Sequence, residues 1–219
     1  MMHVQPVLLY ISLTTDGMEF RSRVKYIFDR IFALLAIILL LPVFMIISVI
    51  MMVRIGNPLI FKQKRTGKDG RLFTLFKFRT MFRNTDKNTV STSKDYRITP
   101  EGAFLRRWKL DELPELFNVL TGDMSFVGPR PDMPNYAESL SGEGRKILSM
   151  RPGITGPATL KYIDEEEILS NVPDPVRYND EVIFPDKVKI NLKYLERYSL
   201  LEDIKLIYYT LIRKKIDEY

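Results

Sequence analysis

The chain contains no cysteine, a single histidine and a single tryptophan. The missing cysteines exclude disulfides, thiolate nucleophiles and any cysteine-ligated zinc, and they suit a reducing compartment. The one histidine is His3, in a tail, so neither an imidazole base nor a Ser-His pair is at hand. Absent too are a Walker-type phosphate loop, a dinucleotide glycine fingerprint, internal repeats and low-complexity tracts. Any chemistry must therefore come from carboxylates, lysine, arginine, tyrosine or hydroxyls.

At 219 residues the chain is long enough for one generous domain or for one domain plus an appendage. Its 33 basic residues outnumber 27 acidic ones, for a formal charge of +6. An anionic partner follows, and nucleic acid, acidic lipid and phosphorylated small molecules all satisfy that charge equally.

The most marked segment is "IFALLAIILLLPVFMIISVIMMV", 23 residues from Ile31 to Val53 without a charge. A straight helix of that length measures roughly 34 Å, enough to cross a ~30 Å hydrocarbon core. Two features argue against a simple span. Pro42 lies near the centre, where it removes a backbone hydrogen bond and bends the helix. Both flanks are basic, Arg21, Arg23, Lys25 and Arg30 before the run and Arg54, Lys62, Lys64, Arg65, Lys68 and Arg71 after it. Such flanks favour the cytoplasmic side. A re-entrant hairpin satisfies proline and charges together; a kinked full span is the alternative. Residues 1–20 are expected to form an N-terminal extension, lying on a bilayer through the Val7 to Leu13 patch or disordered. Residues 21–58 then form the proline-broken membrane segment, and 59–219 a cytoplasmic domain.

That domain is expected to be mainly helical with a few short strands, giving an α+β chain overall. "LIFKQKRTGKDGRLFTLFKFRTM" reads as two strands about a Lys-Asp-Gly turn, and residues 83 to 99 as a polar loop. "NYAESLSGEGRKILSM" contains a helix and "RPGITGP" is a Pro/Gly loop. Two helices close the chain, from Asp186 to Tyr198 and from Leu200 to Ile216. The second is amphipathic and suits either a core-facing or a membrane-surface position.

Between these lies "KLDELPELFN", residues 109 to 118, with adjacent acids just ahead of a proline. Proline is tolerated in a helix's first turn, so Asp111 reads as an N-cap with Glu112, Leu113 and Pro114 following. The same geometry puts both carboxylates at the positive end of a helix, where a phosphate would also bind. A plain capping role and a ligand-handling role both fit the pair taken alone. Its neighbours favour the second: Arg106 and Arg107 upstream, Lys77 and Arg79 in "LFKFRTM", and Arg130 between two prolines in "GPRP". Guanidinium forks beside acids suit a phosphate-bearing substrate and a divalent cation.

"FKQKRTGKDGRLFTLFKFRTM", "RITPEGAFLRRWKLDELPELFNVLTGDMSFVGPRP" and "RPGITGPA", following a proline-broken apolar segment, closely resemble the small monotopic phosphoglycosyl transferases, bacterial sugar transferases. The resemblance covers about residues 21 to 213. It implies transfer of a phospho-sugar from a UDP-sugar to polyprenyl (undecaprenyl) phosphate with release of UMP, the first step of lipid-linked surface glycan assembly. It places the catalytic acids on Asp111, the nucleophile toward the β-phosphorus, and Glu112, which with Asp111 would hold Mg²⁺. Phosphate or substrate contacts fall on Arg106, Arg130, Lys77 and Arg79, and the membrane kink on Pro42. Its implied setting is the cytoplasmic face of the bacterial inner membrane, with no nucleic acid and an open oligomeric state that includes a homodimer. There are departures. This chain has "GPATLKY" where many relatives read "GLAQV", and Asn191 where many have an acid, so residues 156 to 191 are expected to shape a different nucleotide or sugar pocket. Leu41 precedes Pro42 where relatives often have serine. Two other functions fit the sequence: a membrane-anchored non-catalytic scaffold, and a glycosyltransferase that moves the sugar alone and releases UDP.

Overall fold

The computed structural model describes the backbone of residues 5–83, 92 and 95–219, and their side chains from Val24 onward. The polar stretch expected over 83 to 99 therefore falls mostly outside the described residues. The first element, α1 (Gln5–Arg54), contains the whole apolar run and stays helical through Pro42. Its 31-residue section Val24–Arg54 is long and apolar enough to cross a membrane, yet only 17% of its most apolar window is buried.

What is buried forms a single seam. Tyr26, Asp29, Ala33, Ile37, Ile47 and Met51 are covered, with Leu40 and Phe44 partly so, at spacings of three and four residues. That is the stripe a helix offers when it lies along a partner. The seam continues on both sides of Pro42, which is itself exposed. Around the remainder, large apolar side chains face outward, among them Ile31, Leu35, Leu39, Met45, Ile46 and Val53. A contiguous apolar surface of this extent is unusual on a protein that meets only water.

The seam packs on an α+β body, in agreement with the expected class. The hairpin β1 (Ile60–Thr66) and β2 (Leu72–Phe78) is antiparallel, with Phe61 opposite Lys77 and Arg65 opposite Phe73. It turns at Lys68–Gly70, where Asp69 takes φ 56° and Gly70 φ 78°. α2 (Pro100–Arg107) follows, capped by Thr99, whose side chain accepts from the Gly102 N–H. After it come α3 (Glu115–Thr121) and β3 (Ser125–Val127). α4 (Pro134–Ser139) and a 3₁₀ stretch, Gly142–Ser149, occupy the segment read as a helix. "RPGITGP" is not only a loop: Gly153–Thr155 forms β4, paired in parallel with β3. Gly128 and Gly153 permit that pairing, because a Cβ on Gly153 would sit 2.1 Å from the Gly128 nitrogen. α5 (Pro157–Lys161), α6 (Glu165–Ser170) and α7 (Pro175–Tyr178) precede a π-helical turn at Asn179–Ile183. α8 (Phe184–Arg197) and α9 (Leu200–Leu211) then close the described fold, the latter ending a turn earlier than its periodicity suggests.

Period-two alternation puts Phe73, Leu75 and Lys77 on one face of β2. There Phe73 and Leu75 pack with Ala33 of α1, Val119 of α3 and Met124. Phe78, on the other face, joins Ile47 and Met51 of α1 and Leu105 of α2. The Phe44 ring lies 5.8 Å from Phe117 and 6.0 Å from Phe78. Each fully buried apolar side chain of this kind contributes about 1.5–3 kcal/mol. A third cluster unites Val127, Met150, Leu160, Tyr194 and Leu206 beneath α8 and α9. On α9, Asp203 and Leu206 point inward while Leu201, Ile204, Tyr208 and Leu211 are exposed, so one helix has a core face and an apolar outer face.

Polar ties hold both ends of the seam to the same body. Lys25, 2% exposed, reaches Asp203 at 2.5 Å, and the Tyr194 hydroxyl donates to that carboxylate. Ser125 Oγ donates to Asp29 at 2.7 Å. Arg30 Nη2 donates to the Thr121 carbonyl at 3.2 Å, and at the far end Arg54 Nε meets Glu101 at 2.7 Å. Removing one member of a buried ion pair leaves the other charged and uncompensated. Lys25→Met is therefore expected to lower stability by about 3–5 kcal/mol, with Asp203→Asn in the same chain restoring part of the loss. Thermal unfolding in detergent across the double-mutant cycle measures this; strictly additive losses would mean the two side chains are not coupled.

Candidate active site

The acid pair does not cap a helix in the expected manner. Asp111 and Glu112 end a 3₁₀ turn, Leu110–Glu112, while α3 begins at Glu115 with Pro114 as its N-cap. The cause lies one residue upstream. Lys109 takes a left-handed conformation, φ 57° and ψ 21°, which breaks α2 from the turn and aims the following backbone afresh. Glu112 N–H then donates to the Lys109 carbonyl at 3.3 Å and Leu113 N–H to Leu110 at 3.3 Å. Both carboxylates end up buried, each 7% exposed, instead of in solvent at a helix mouth.

Two cations converge on one of them. Lys77 Nζ lies 2.7 Å from Glu112 Oε1, and Arg130 Nη2 lies 2.6 Å from the same oxygen. Burial opposes charge on Glu112, but Arg130 and Lys77 outweigh it and hold the carboxyl well below its ordinary range. Asp111 goes the other way: burial and the neighbouring Glu112 charge raise its pKa. Its Oδ1 is buried and has no hydrogen-bond partner among the described residues. The dyad is thus asymmetric, one carboxylate clamped ionised and the other carrying an unused acceptor.

Each cation has a defined mount. Lys77 rides on the β2 face that α3 covers. The α3 to β2 contact is made through Asn118, fully buried, whose Nδ2 donates to the Thr74 carbonyl at 2.8 Å and whose Oδ1 accepts from the Phe76 N–H at 3.1 Å. Its carbonyl accepts from Gly122, Asp123 and Met124. Arg130 leaves the β3 to β4 pairing, where Gly128 N–H donates to Thr155 and Gly153 N–H to the Pro129 carbonyl. The hairpin grips the next residues, Arg65 Nη1 donating to the Pro131 carbonyl at 3.3 Å and Thr66 N–H to Asp132 at 3.0 Å. Burial and Arg130 lower the Arg65 pKa to about 10, whereas burial raises that of Asp132 to about 6.

The structure brings Asp111, Glu112, Lys77 and Arg130 together and separates Arg79 from them. Arg79 turns toward the end of α1, donating to the carbonyls of Ile55 at 2.9 Å and Gly56 at 2.6 Å. Arg106 stands between: Nη1 is 3.4 Å from Thr80 Oγ1 and Nη2 is 2.5 Å from Glu166 Oε1 on α6. Sequence reasoning missed Glu115, Asn118 and Glu166. Glu115 is 1% exposed and 3.2 Å from Lys77, and burial lifts its pKa to about 7. Glu115 and Asn118 were detectable as polar residues in a stretch otherwise rich in leucine. Glu166 belongs to an acidic run whose partners are distant in sequence: Asp164 with Lys215, Glu165 with Lys187, Glu166 with Arg106. The pair with Arg106 brings α6, within the segment 156–191, against the site.

The donor set bears on the implied cation. Two adjacent carboxylates, one with an orphaned buried oxygen, suit Mg²⁺, which takes one or two carboxylates and completes its shell with substrate phosphates and water. Among the described residues no group of three acids forms a self-sufficient metal cage.

A family model described as bacterial sugar transferase matches residues 20–215. A UDP-glucose:undecaprenyl-phosphate glucose-1-phosphate transferase from Xanthomonas campestris pv. campestris is 37% identical over 196 residues, 86% of this chain and 38% of that relative. A UDP-N-acetylgalactosamine-undecaprenyl-phosphate N-acetylgalactosaminephosphotransferase from Aeromonas hydrophila is 30% identical, over 84% of this chain and 41% of its own length. The chain thus spans about two fifths of these larger relatives. An uncharacterised sugar transferase of Bacillus subtilis (strain 168) is 31% identical across 88% of this chain and 89% of itself. The matched span takes in α1 from residue 20 onward, the hairpin, the acid dyad and the segments that carry Arg106 and Arg130, so the chain belongs to the bacterial sugar transferase family.

Proposed function

We propose that the protein transfers a phospho-sugar from a UDP-sugar to polyprenyl phosphate, releasing UMP, with Asp111 as a covalent nucleophile. The observation that carries this reading is the asymmetry of the dyad. A carboxylate is a poor nucleophile toward an anionic diphosphate unless neighbouring cations offset the repulsion. Lys77 and Arg130 converge on Glu112 beside Asp111, which keeps an oxygen with no hydrogen-bond partner among the described residues. In the first step that oxygen attacks the β-phosphorus, forming an acyl-phosphate bond while the bond from the β-phosphorus to the bridging oxygen breaks. The bridging oxygen leaves with UMP. In the second step an oxygen of the polyprenyl phosphate attacks the same phosphorus, the acyl-phosphate bond breaks, and the Asp111 carboxylate is regenerated. Splitting one displacement into two keeps the anionic partners apart. Glu112 holds Lys77 and Arg130 in place, and Arg106 exchanges Glu166 for a phosphate oxygen. Mg²⁺, when bound by Asp111 and Glu112, supplies charge neutralisation of the diphosphate.

The same reading sets the protein on one face of the bacterial inner membrane, the cytoplasmic one, with α1 re-entrant or lying in a single leaflet. Support comes from the ties at both ends of the seam. Lys25 and Arg54 lie 29 residues apart and grip the same α+β body, whereas a straight crossing would carry one flank to the opposite side. The exposed apolar faces of α1 and α9 supply the contact surface.

Given Mg²⁺ and a matching donor, with UDP-glucose and UDP-N-acetylgalactosamine tried first, detergent-solubilised protein without lipid is expected to release up to one UMP per active site. It is also expected to gain the mass of a phospho-sugar. Asp111→Asn should abolish both signals; continued turnover by that variant excludes the covalent mechanism, and release of UDP indicates simple sugar transfer instead. Arg130→Lys retains charge but loses the planar fork. Its kcat/KM is expected to fall about 10²-fold or more, in line with loss of an electrostatic donor at a reaction centre, and near-normal activity would reduce Arg130 to a replaceable point charge. For topology, single cysteines near Arg23 and near Lys62 can be introduced without background. An impermeant thiol reagent outside intact cells is expected to label neither, and labelling of one flank alone would establish a full span.

A further inference from the structure

A cavity of about 300 Å³ opens where α1 ends, away from the dyad, lined by Arg54, Ile55, Arg79, Phe82, Arg83 and the first residues of α2. Three guanidinium groups and one carboxylate, Glu101, border it, for a net charge of +2 if Glu101 is ionised. Glu101 takes only the Nε of Arg54. Arg79, 7% exposed, has a buried Nε with no partner among the described residues. Burial lowers its pKa, and the nearby Arg83 charge adds to that in a smaller measure. Arg83 is exposed and makes no hydrogen bond or ion pair among the described residues. The positive end of α2, an eight-residue helix capped by Thr99, adds to the same field. Three cations gathered against the single carboxylate of Glu101, among the described residues, are arranged for an anion.

The surroundings specify what kind. Beside the cavity, Met52 and Val53 of α1 and Phe82 are exposed, Val53 by 78%, and they continue onto the bare apolar face of the helix. A ligand with its head among the arginines would find hydrocarbon contacts next to it. Thr80 connects the cavity to the catalytic side: its carbonyl accepts from the Thr99 N–H at 2.9 Å, and its hydroxyl lies 3.4 Å from Arg106. A phosphomonoester carries a charge of about −1.5 to −2 near neutrality, matching the net +2; the single negative charge of a phosphodiester does not.

We propose that the cavity formed by Arg54, Arg79 and Arg83 binds the phosphomonoester head of a lipid whose chain lies along α1, holding the acceptor beside Arg106 before it reaches the dyad. This rests on the phospho-sugar transfer reading above. Binding of radiolabelled polyprenyl phosphate to the full chain in nanodiscs tests it. Arg54→Gln and Arg83→Gln are each expected to weaken binding about threefold to tenfold, as for one charge-assisted contact partly screened by water. They should raise the KM for the lipid far more than that for the UDP-sugar. Glu101→Gln is expected to tighten binding by freeing Arg54, a gain that misfolding does not produce. Phosphatidylglycerol, a phosphodiester, and inorganic phosphate, which lacks a chain, should both compete poorly. Unchanged binding in both arginine variants overturns the proposal. Equal competition by phosphatidylglycerol would make the cavity a general lipid anchor, and equal competition by inorganic phosphate a soluble-anion site; either result also overturns it. Acceptor-free UMP release reports on the dyad alone. A protein that releases UMP but ignores Arg54 and Arg83 refutes only this inference, and one that binds the lipid there without ever releasing UMP refutes the catalytic reading.

Discussion

The side-chain amide of Asn118 takes the place of a missing strand. Among the described residues β2 pairs only with β1, and its free edge meets a helix, which has no backbone groups to offer sideways. Asn118 supplies one donor and one acceptor at that edge, to Thr74 and Phe76. Because α3 is locked to β2 at that height, Lys77 falls opposite Glu112 and Glu115. A hydrophobic contact alone tolerates sliding, whereas a two-point hydrogen bond in a buried setting does not. The same residue ends α3 by accepting three backbone N–H groups, and so directs the chain into β3 and on to Arg130.

With the cations so placed, the electrostatics of the two acids separate. Adjacent buried carboxylates repel, and without partners both would be driven toward the neutral form. Arg130 and Lys77 resolve the conflict by favouring Glu112. Glu115, sharing Lys77 at a longer distance, remains half committed near neutral pH. Three acids and two cations thereby occupy one buried cluster with graded proton affinity, a common signature of sites that handle charge.

Much of the fold was legible in the sequence because its signals are local. The apolar run, the alternating hairpin around Lys-Asp-Gly and the amphipathic α9 each carry a periodicity that survives in the structure. β4 was not legible: three residues containing a glycine show no alternation, and parallel pairing with β3 joins segments 28 residues apart. Nor was the turn before the dyad, since a left-handed lysine leaves no mark in sequence; Asp111 accordingly looked like a cap. Around the dyad, Lys77 and Arg130 were visible as charges in a pattern. Their shared convergence on Glu112, the departure of Arg79 toward α1 and the Glu166 contact of Arg106 depend on tertiary packing. Single arginines give no sequence clue to the direction they face.

The seam along α1 has a mechanical consequence. Anchors and catalytic units joined by a linker can change their separation, whereas here the apolar helix is zipped to the hairpin and α3 from Ala33 to Met51 and pinned at each end. Among the described residues α1 runs as one unbroken helix between those ties. Whatever surface accepts the bare side of α1 thereby fixes the height and tilt of Asp111 above it, as a keel fixes the waterline of a hull. A substrate that travels in that surface arrives at a set depth, and only its lateral position is left to diffusion.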